Sequence, residues 1–138
     1  MANHDLTGAA YPGNYGITSE KLSDMVVKKR YIDTTVTPLT NGDNYDVLAY
    51  PDNCVITEVF CITETVEGAA QTVDVRDNAS PTTTCINDHD LNTDNAIGSY
   101  TTRMFKASAD SINLLANADL TVCKFWVGIV YIPLSTKD

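Results

Sequence analysis

Hydrophobic and polar residues alternate along most of this chain with the two-residue period of a strand rather than that of a helix. From Tyr31 onward, runs rich in β-branched and aromatic residues are divided by clusters of Gly, Pro, Asn and Asp, the punctuation expected between strands. Tyr31 to Thr37 ends at Pro38. Asn41-Gly42-Asp43-Asn44 marks a turn before Tyr45 to Tyr50, and Pro51-Asp52-Asn53 closes that run. Cys54 to Thr65, CVITEVFCITET, predicts a long strand broken at Gly68. In Gln71 to Arg76, Thr72, Asp74 and Arg76 fall on one face and Val73 and Val75 on the other. Thr82 to Ile86 predicts a short strand, and residues 87–95, NDHDLNTDN, a polar loop. Ile97 to Ala107 and Ile112 to Leu115 follow as strands. The last run, Leu120 to Leu134, puts Cys123, Phe125, Val127, Ile129 and Tyr131 on one face and Lys124, Trp126, Gly128, Val130 and Ile132 on the other. Both faces are largely apolar, so this strand is expected at the centre of a sheet with something against its second side.

These runs make about eight strands at intervals of roughly 8–15 residues, the spacing of a sandwich or barrel. The predicted fold is all-β: an antiparallel, jelly-roll-like β-sandwich preceded by an extended N-terminal arm. The predicted division is an arm over residues 1–30 and a β-sandwich domain over residues 31–138. The arm contains Gly8, Pro12, Gly13 and Gly16 around Tyr11 and Tyr15. Ser19-Glu20-Lys21-Leu22, followed by Met25 and Val26, offers a cap and a short apolar stripe for one brief helix. Tyrosine buries a large area while keeping a polar handle, which makes Tyr11 and Tyr15 candidate anchors on a partner. Together with Lys28, Lys29 and Arg30, clustered at the arm–body junction, they are the predicted partner-binding residues.

Composition narrows the function. At 138 residues, 43% hydrophobic and 20% charged, the chain is one globular domain. Its net charge is −9, with Asp52, Glu58, Glu64, Glu67, Asp74, Asp77, Asp88, Asp90 and Asp94 facing only Arg76 between residues 52 and 94. Such a body repels phosphate backbones, so no nucleic-acid partner is expected. The charge suits solubility, or docking on a basic surface. Met1-Ala2-Asn3-His4-Asp5 has no secretion-signal pattern, and the longest apolar stretch, Phe125 to Leu134, is about half a membrane-spanning helix. No membrane partner is therefore expected.

Chemistry is sparse. Cys54, Cys61, Cys85 and Cys123 lack zinc-ribbon spacing, and buried free thiols are the expected state. In one flat strand Cys54 and Cys61 would point to opposite faces. The histidines, His4 and His89, have no nucleophile motif beside them, and neither G-x-S-x-G nor H-E-x-x-H occurs. Asp88, Asp90, Asn92 and Asp94 alternate as calcium ligands do, but Thr93 and Ser99 stand where a calcium loop needs Gly and Glu. No catalytic, metal or cofactor site is predicted, and the chain is not expected to be an enzyme.

A Gly/Tyr arm before a compact β-domain, running YDVLAYPDNCVITEVFCITETVEGAAQTVDV and ending TVCKFWVGIVYIPL, resembles small tailed-phage virion proteins of the capsid decoration (cement) or head-fibre type. The resemblance spans roughly residues 31–134. It implies a homotrimeric structural protein on the capsid surface of a virion assembled in the host cytoplasm, where it binds the major capsid protein and fastens neighbouring capsomers. Two other uses of such a fold are a carbohydrate- or ligand-binding module and a cupin-like enzyme. The first needs an aromatic-lined groove. The second needs clustered histidines, which two distant ones do not supply.

Overall fold

The computed structural model describes residues 25–134, and among them no helix occurs. Eight strands follow in order: β1 (Val26–Asp33), β2 (Asn44–Tyr50), β3 (Cys54–Thr65), β4 (Thr72–Asp77), β5 (Thr83–Asp90), β6 (Ile97–Lys106), β7 (Asp110–Ala116) and β8 (Lys124–Pro133). They form two four-stranded sheets, in the orders β1-β8-β3-β6 and β2-β7-β4-β5, and every pairing is antiparallel. The chain repeatedly crosses from one sheet to the other, and the first and last strands lie side by side. This is a jelly roll, as the strand pattern predicts.

The core lies between the sheets. Ile56, Val59 and Cys61 of β3 and Phe125, Val127 and Ile129 of β8 face Val73 and Val75 of β4 and Ile112 and Leu114 of β7, all buried. Leu39 and Leu120 meet in an isolated bridge that closes one end. As expected, β8 is central, paired with β1 on one side and β3 on the other.

Several sequence readings shift. The sandwich opens at Val26, so Lys28, Lys29 and Arg30 lie in its first strand rather than in an arm over residues 1–30. Charged residues hide this strand because it is an edge, where only part of each face is covered. It ends at Asp33, whose carboxylate accepts the Thr35 amide at 3.0 Å and turns the chain well before Pro38. Tyr11, Tyr15 and the expected helix from Ser19 lie outside the described residues, save Met25 and Val26, and Val26 is already strand.

The predicted loop over residues 87–95 is half strand: β5 runs on to Asp90. A positive φ of 54° at Asp88 and two register shifts against β4 break its alternation, which disguises it as loop. Cys54 and Cys61 also differ from expectation. Both point into the core, because an irregularity between Ile56 and Glu58 gives β3 one residue more than β8 there and resets its faces. All four cysteines are buried free thiols, as predicted.

Candidate functional site

The two sheets present different outer faces to solvent. On β2-β7-β4-β5 that face is polar and internally bonded. Asp46 pairs with Asn113, and Asn113 with Arg76. Arg76 donates to Asn113 Oδ1 at 3.2 Å and also to Asn44. Asp74 accepts the Asp88 amide at 2.8 Å and Asn117 Nδ2 at 2.9 Å. Part of the acidic run is thus spent on holding the fold together rather than on display.

The outer face of β1-β8-β3-β6 carries apolar rows among charged and polar residues. Cross-strand pairing lines its side chains up in rows. Tyr31, Trp126, Ile62 and Ile97 make one row across all four strands. Lys29, Gly128, Phe60 and Ser99 make the next, and Ile132, Val55 and Phe105 another beyond it. The apolar second face of the last strand is legible in the sequence. The contributions of β3 and β6 are not, because strand neighbours cannot be read from spacing alone.

The middle of this face is flat for a specific reason. Phe60 lies across Gly128, and a Cβ at that position would come within 2.0 Å of the Phe60 ring. Tyr31 packs on Trp126 with ring centroids 4.9 Å apart. The Lys29 ammonium sits 5.1 Å from the centroid of the Trp126 ring. Tyr31 also donates to Glu64 Oε1 at 2.5 Å, and that hydrogen bond, with burial and nearby negative charge behind it, pushes the phenol up to about 12. Gly128→Ala is expected to lift Phe60 off the sheet and cost about 1–2 kcal/mol in urea unfolding. A wild-type midpoint would show that the ring moves freely.

Strand alternation separates the predicted cationic cluster. Lys28 turns toward the opposite sheet and donates to the Ala49 carbonyl at 2.7 Å, while Lys29 lies on the outer face over Trp126. Arg30 borders a cleft of about 310 Å³ at the open edge between β1 and β2, shared with Asp33, Val36, Tyr45 and Asp46. Cations along an edge strand also guard it against pairing with another chain.

His89 is 4% exposed and bridges the sheets. Thr63 Oγ1 donates to the Asp90 carbonyl at 2.8 Å, which leaves it to accept from His89 Nε2, also at 2.8 Å. Nδ1 is pressed against Gly98, where a Cβ would come within 2.7 Å of it. Burial lowers the imidazole's pKa, against an opposing pull from Asp90. His89 is thus held between the sheets by a hydrogen bond to Thr63 and by close packing against Gly98. Among the described residues no group of three or more His, Cys, Asp or Glu could hold a metal ion. No described helix is long and apolar enough to cross a membrane.

Three solved structures resemble this arrangement. A chain of the acidic stable capsid structure of Helicobacter pylori bacteriophage KHP30 matches with a TM-score of 0.62 and 15% identity, over 80% of this chain and 89% of its own. A chain of the Ralstonia phage GP4 capsid gives 0.61 and 14%, over 83% and 87%. A chain of the cyanophage Pam1 capsid asymmetric unit gives 0.59 and 14%, over 80% and 85%. No protein-family model matches the chain, and no curated protein matches it in sequence. The likeness establishes a shared fold. It takes in most of each of those chains, 85–89% of their length.

Proposed function

We propose that this chain is a non-enzymatic structural protein of a phage virion. In this reading it binds the outside of the capsid as a homotrimer, contacts the major capsid protein and fastens neighbouring capsomers. The observation that carries the proposal is the match to chains from three phage capsid structures, over 80–83% of this chain and 85–89% of theirs. The apolar rows on the outer face of β1-β8-β3-β6 support it, since a lone domain gains nothing by exposing such a surface. Residues 1–24 supply the attachment element, through Tyr11 and Tyr15, with Lys28, Lys29 and Arg30 where the chain enters the sandwich. An arm that orders on binding must offset roughly 1–2 kcal/mol of backbone entropy per residue, which buried tyrosines and main-chain hydrogen bonds along a groove supply.

Capsids of the source phage lacking the protein, mixed with purified wild type, are the test. Wild type is expected to co-sediment and to raise the temperature at which the capsids release DNA. Deleting residues 2–24 is expected to leave the sandwich folded and to weaken capsid binding at least about tenfold. Wild type left in the supernatant would refute the virion role, whereas full binding by the truncated chain would move attachment onto the sandwich.

A second reading rests on the cleft between β1 and β2. At about 310 Å³, with Tyr45, Arg30 and Asp46 on its border, it is at the small end of ligand-pocket size and fits a carbohydrate- or ligand-binding module. The Tyr45 hydroxyl is already engaged, accepting the Thr40 amide at 2.8 Å. Saturation-transfer NMR with a set of monosaccharides tests it, with Tyr45→Ala as the control.

A further inference from the structure

We infer that the seam between β5 and β6 is an acid-sensitive latch: protonating His89 parts β6 from β5 locally, while the rest of the sandwich stays closed.

This seam has little to hold it. β5 and β6 are edge strands of opposite sheets, so no ladder joins them. Of the ten residues of β6 none is fully buried, and its inward positions, Gly98, Tyr100, Thr102, Met104 and Lys106, are half-buried. Segments with few buried contacts are the first to open. The turn from β5 into β6 also contains two left-handed residues, Asp88 at φ 54° and Asn95 at φ 61°. Such conformations persist only while their surroundings hold them.

The fastening is concentrated at Thr63 and His89. The Thr63 amide donates to the Ala96 carbonyl at 2.9 Å, and the Thr63 carbonyl accepts the Asn95 amide at 3.0 Å. Its hydroxyl holds His89 and the Asp90 carbonyl, both at 2.8 Å. The imidazole then fills the space beneath Gly98, where a Cβ would also come within 3.0 Å of Ile86.

Protonation acts at that contact. In the neutral ring Nε2 carries the hydrogen, because the Thr63 hydroxyl donates its own to Asp90. The added proton therefore goes to Nδ1, which makes no hydrogen bond among the described residues and is pressed against Gly98. A buried, charged N–H without an acceptor is costly, so the imidazolium is driven toward water. On the Nδ1 side, β6 stands in the way.

The charges nearby are committed elsewhere. On the histidine's own strand, Asp90 attracts the imidazolium but already binds the Asn92 amide and the Thr93 hydroxyl. Asp88 binds Thr72, Asn87 and Asn117. From β4, Val73 pairs with His89, and the adjacent Asp74 holds the Asp88 amide. On β3, Glu64 beside Thr63 turns away to Tyr31. On β6 the charges, Arg103 and Lys106, lie further along the strand, and Lys106 is paired with Asp77.

The test is hydrogen–deuterium exchange of the purified chain at pH 7.5 and pH 5.5, read by mass spectrometry and corrected for intrinsic exchange rates. Residues 91–100 are expected to exchange at least about threefold faster at pH 5.5, with β1 and β8 changed less than about twofold. His89→Gln keeps a donor for Thr63 but does not titrate, and it is expected to abolish the difference. Gly98→Ala, which wedges the ring at neutral pH, is expected to speed exchange of the same residues at pH 7.5. Equal protection of residues 91–100 at both pH values would overturn the inference. So would a rise spread evenly over both sheets, or one that survives in His89→Gln. Should His89→Gln lose its fold, Gly98→Ala decides: unchanged exchange at pH 7.5 would show that the ring moves without parting the strands.

Discussion

Asp77→Ala is expected to destabilise the domain by about 2–4 kcal/mol in urea unfolding, the cost of leaving a half-buried cation and a buried phenol without their shared partner. Asp77 is 1% exposed. One carboxylate oxygen accepts the Tyr50 hydroxyl at 2.6 Å and the Ala79 amide at 3.1 Å. The other accepts the Lys106 ammonium, which also lies 5.7 Å over the Tyr50 ring. Burial, reinforced by the hydrogen bond to Asp77, holds the Tyr50 phenol protonated far above its ordinary range, so it remains a donor. The group ties β2 and β4 of one sheet to β6 of the other. Removing the carboxylate strands the Lys106 charge and orphans the Tyr50 donor together. Adding Lys106→Met to Asp77→Ala removes the stranded charge and is expected to recover at least about 1 kcal/mol. A loss below about 1 kcal/mol for Asp77→Ala alone would mean that water reaches the site and that the pair behaves as a surface salt bridge.

Such a site shows where the sequence is legible and where it is not. Val73 and Val75 against Thr72, Asp74 and Arg76 announce a strand with one buried face, and the structure has it. Asp77 continues the same alternation onto the core side, where a carboxylate is out of pattern unless the fold supplies Lys106. That partner is 29 residues away, and no local rule points to it. The same holds for the outer face of β1-β8-β3-β6. The apolar second face of β8 is plain in the sequence. That Phe60 lies on Gly128 and Ile62 pairs with Trp126 depends on β3 being the neighbour of β8, which comes from the jelly-roll wrap. Errors fall where backbone irregularity breaks the period: at the reset in β3 that turns both Cys54 and Cys61 inward, and at Asp88 in β5. The edge strand β1 escapes notice for another reason, since its cations read as a linker while their backbone pairs with β8.

Acid is expected to weaken the domain in two stages, through two residues on different elements. Glu67, in the connection after β3, accepts the amides of three consecutive residues, Thr121 and Val122 and Cys123, at 3.2, 3.0 and 3.0 Å. It thereby clasps the segment that leads into β8. Partial burial alone would raise its pKa, but the three amide donors outweigh that and lower it. A carboxyl with a depressed folded pKa contributes stability that is fully present above its unfolded value and is lost as the pH falls through the folded value. His89 acts at higher pH. Its folded pKa is lowered by burial from 6.5, so the unfolded chain takes up a proton before the folded one does. Stability therefore falls as the pH drops below about 6.5, and the loss levels off once the folded imidazole is protonated too. The imidazolium would need an acceptor at Nδ1, where Gly98 packs instead. In urea titrations between pH 8 and pH 3, His89→Gln is expected to flatten the upper part of the decline, and Glu67→Gln the lower part. At pH 7, Glu67→Ala is expected to cost about 2–3 kcal/mol, because three amides lose a charged acceptor and those turned toward the protein are not fully rehydrated. If Glu67→Ala leaves the midpoint at pH 7 unchanged, water replaces the carboxylate and the clasp contributes nothing. If His89→Gln leaves the decline between pH 7 and pH 5 intact, that limb belongs to another group.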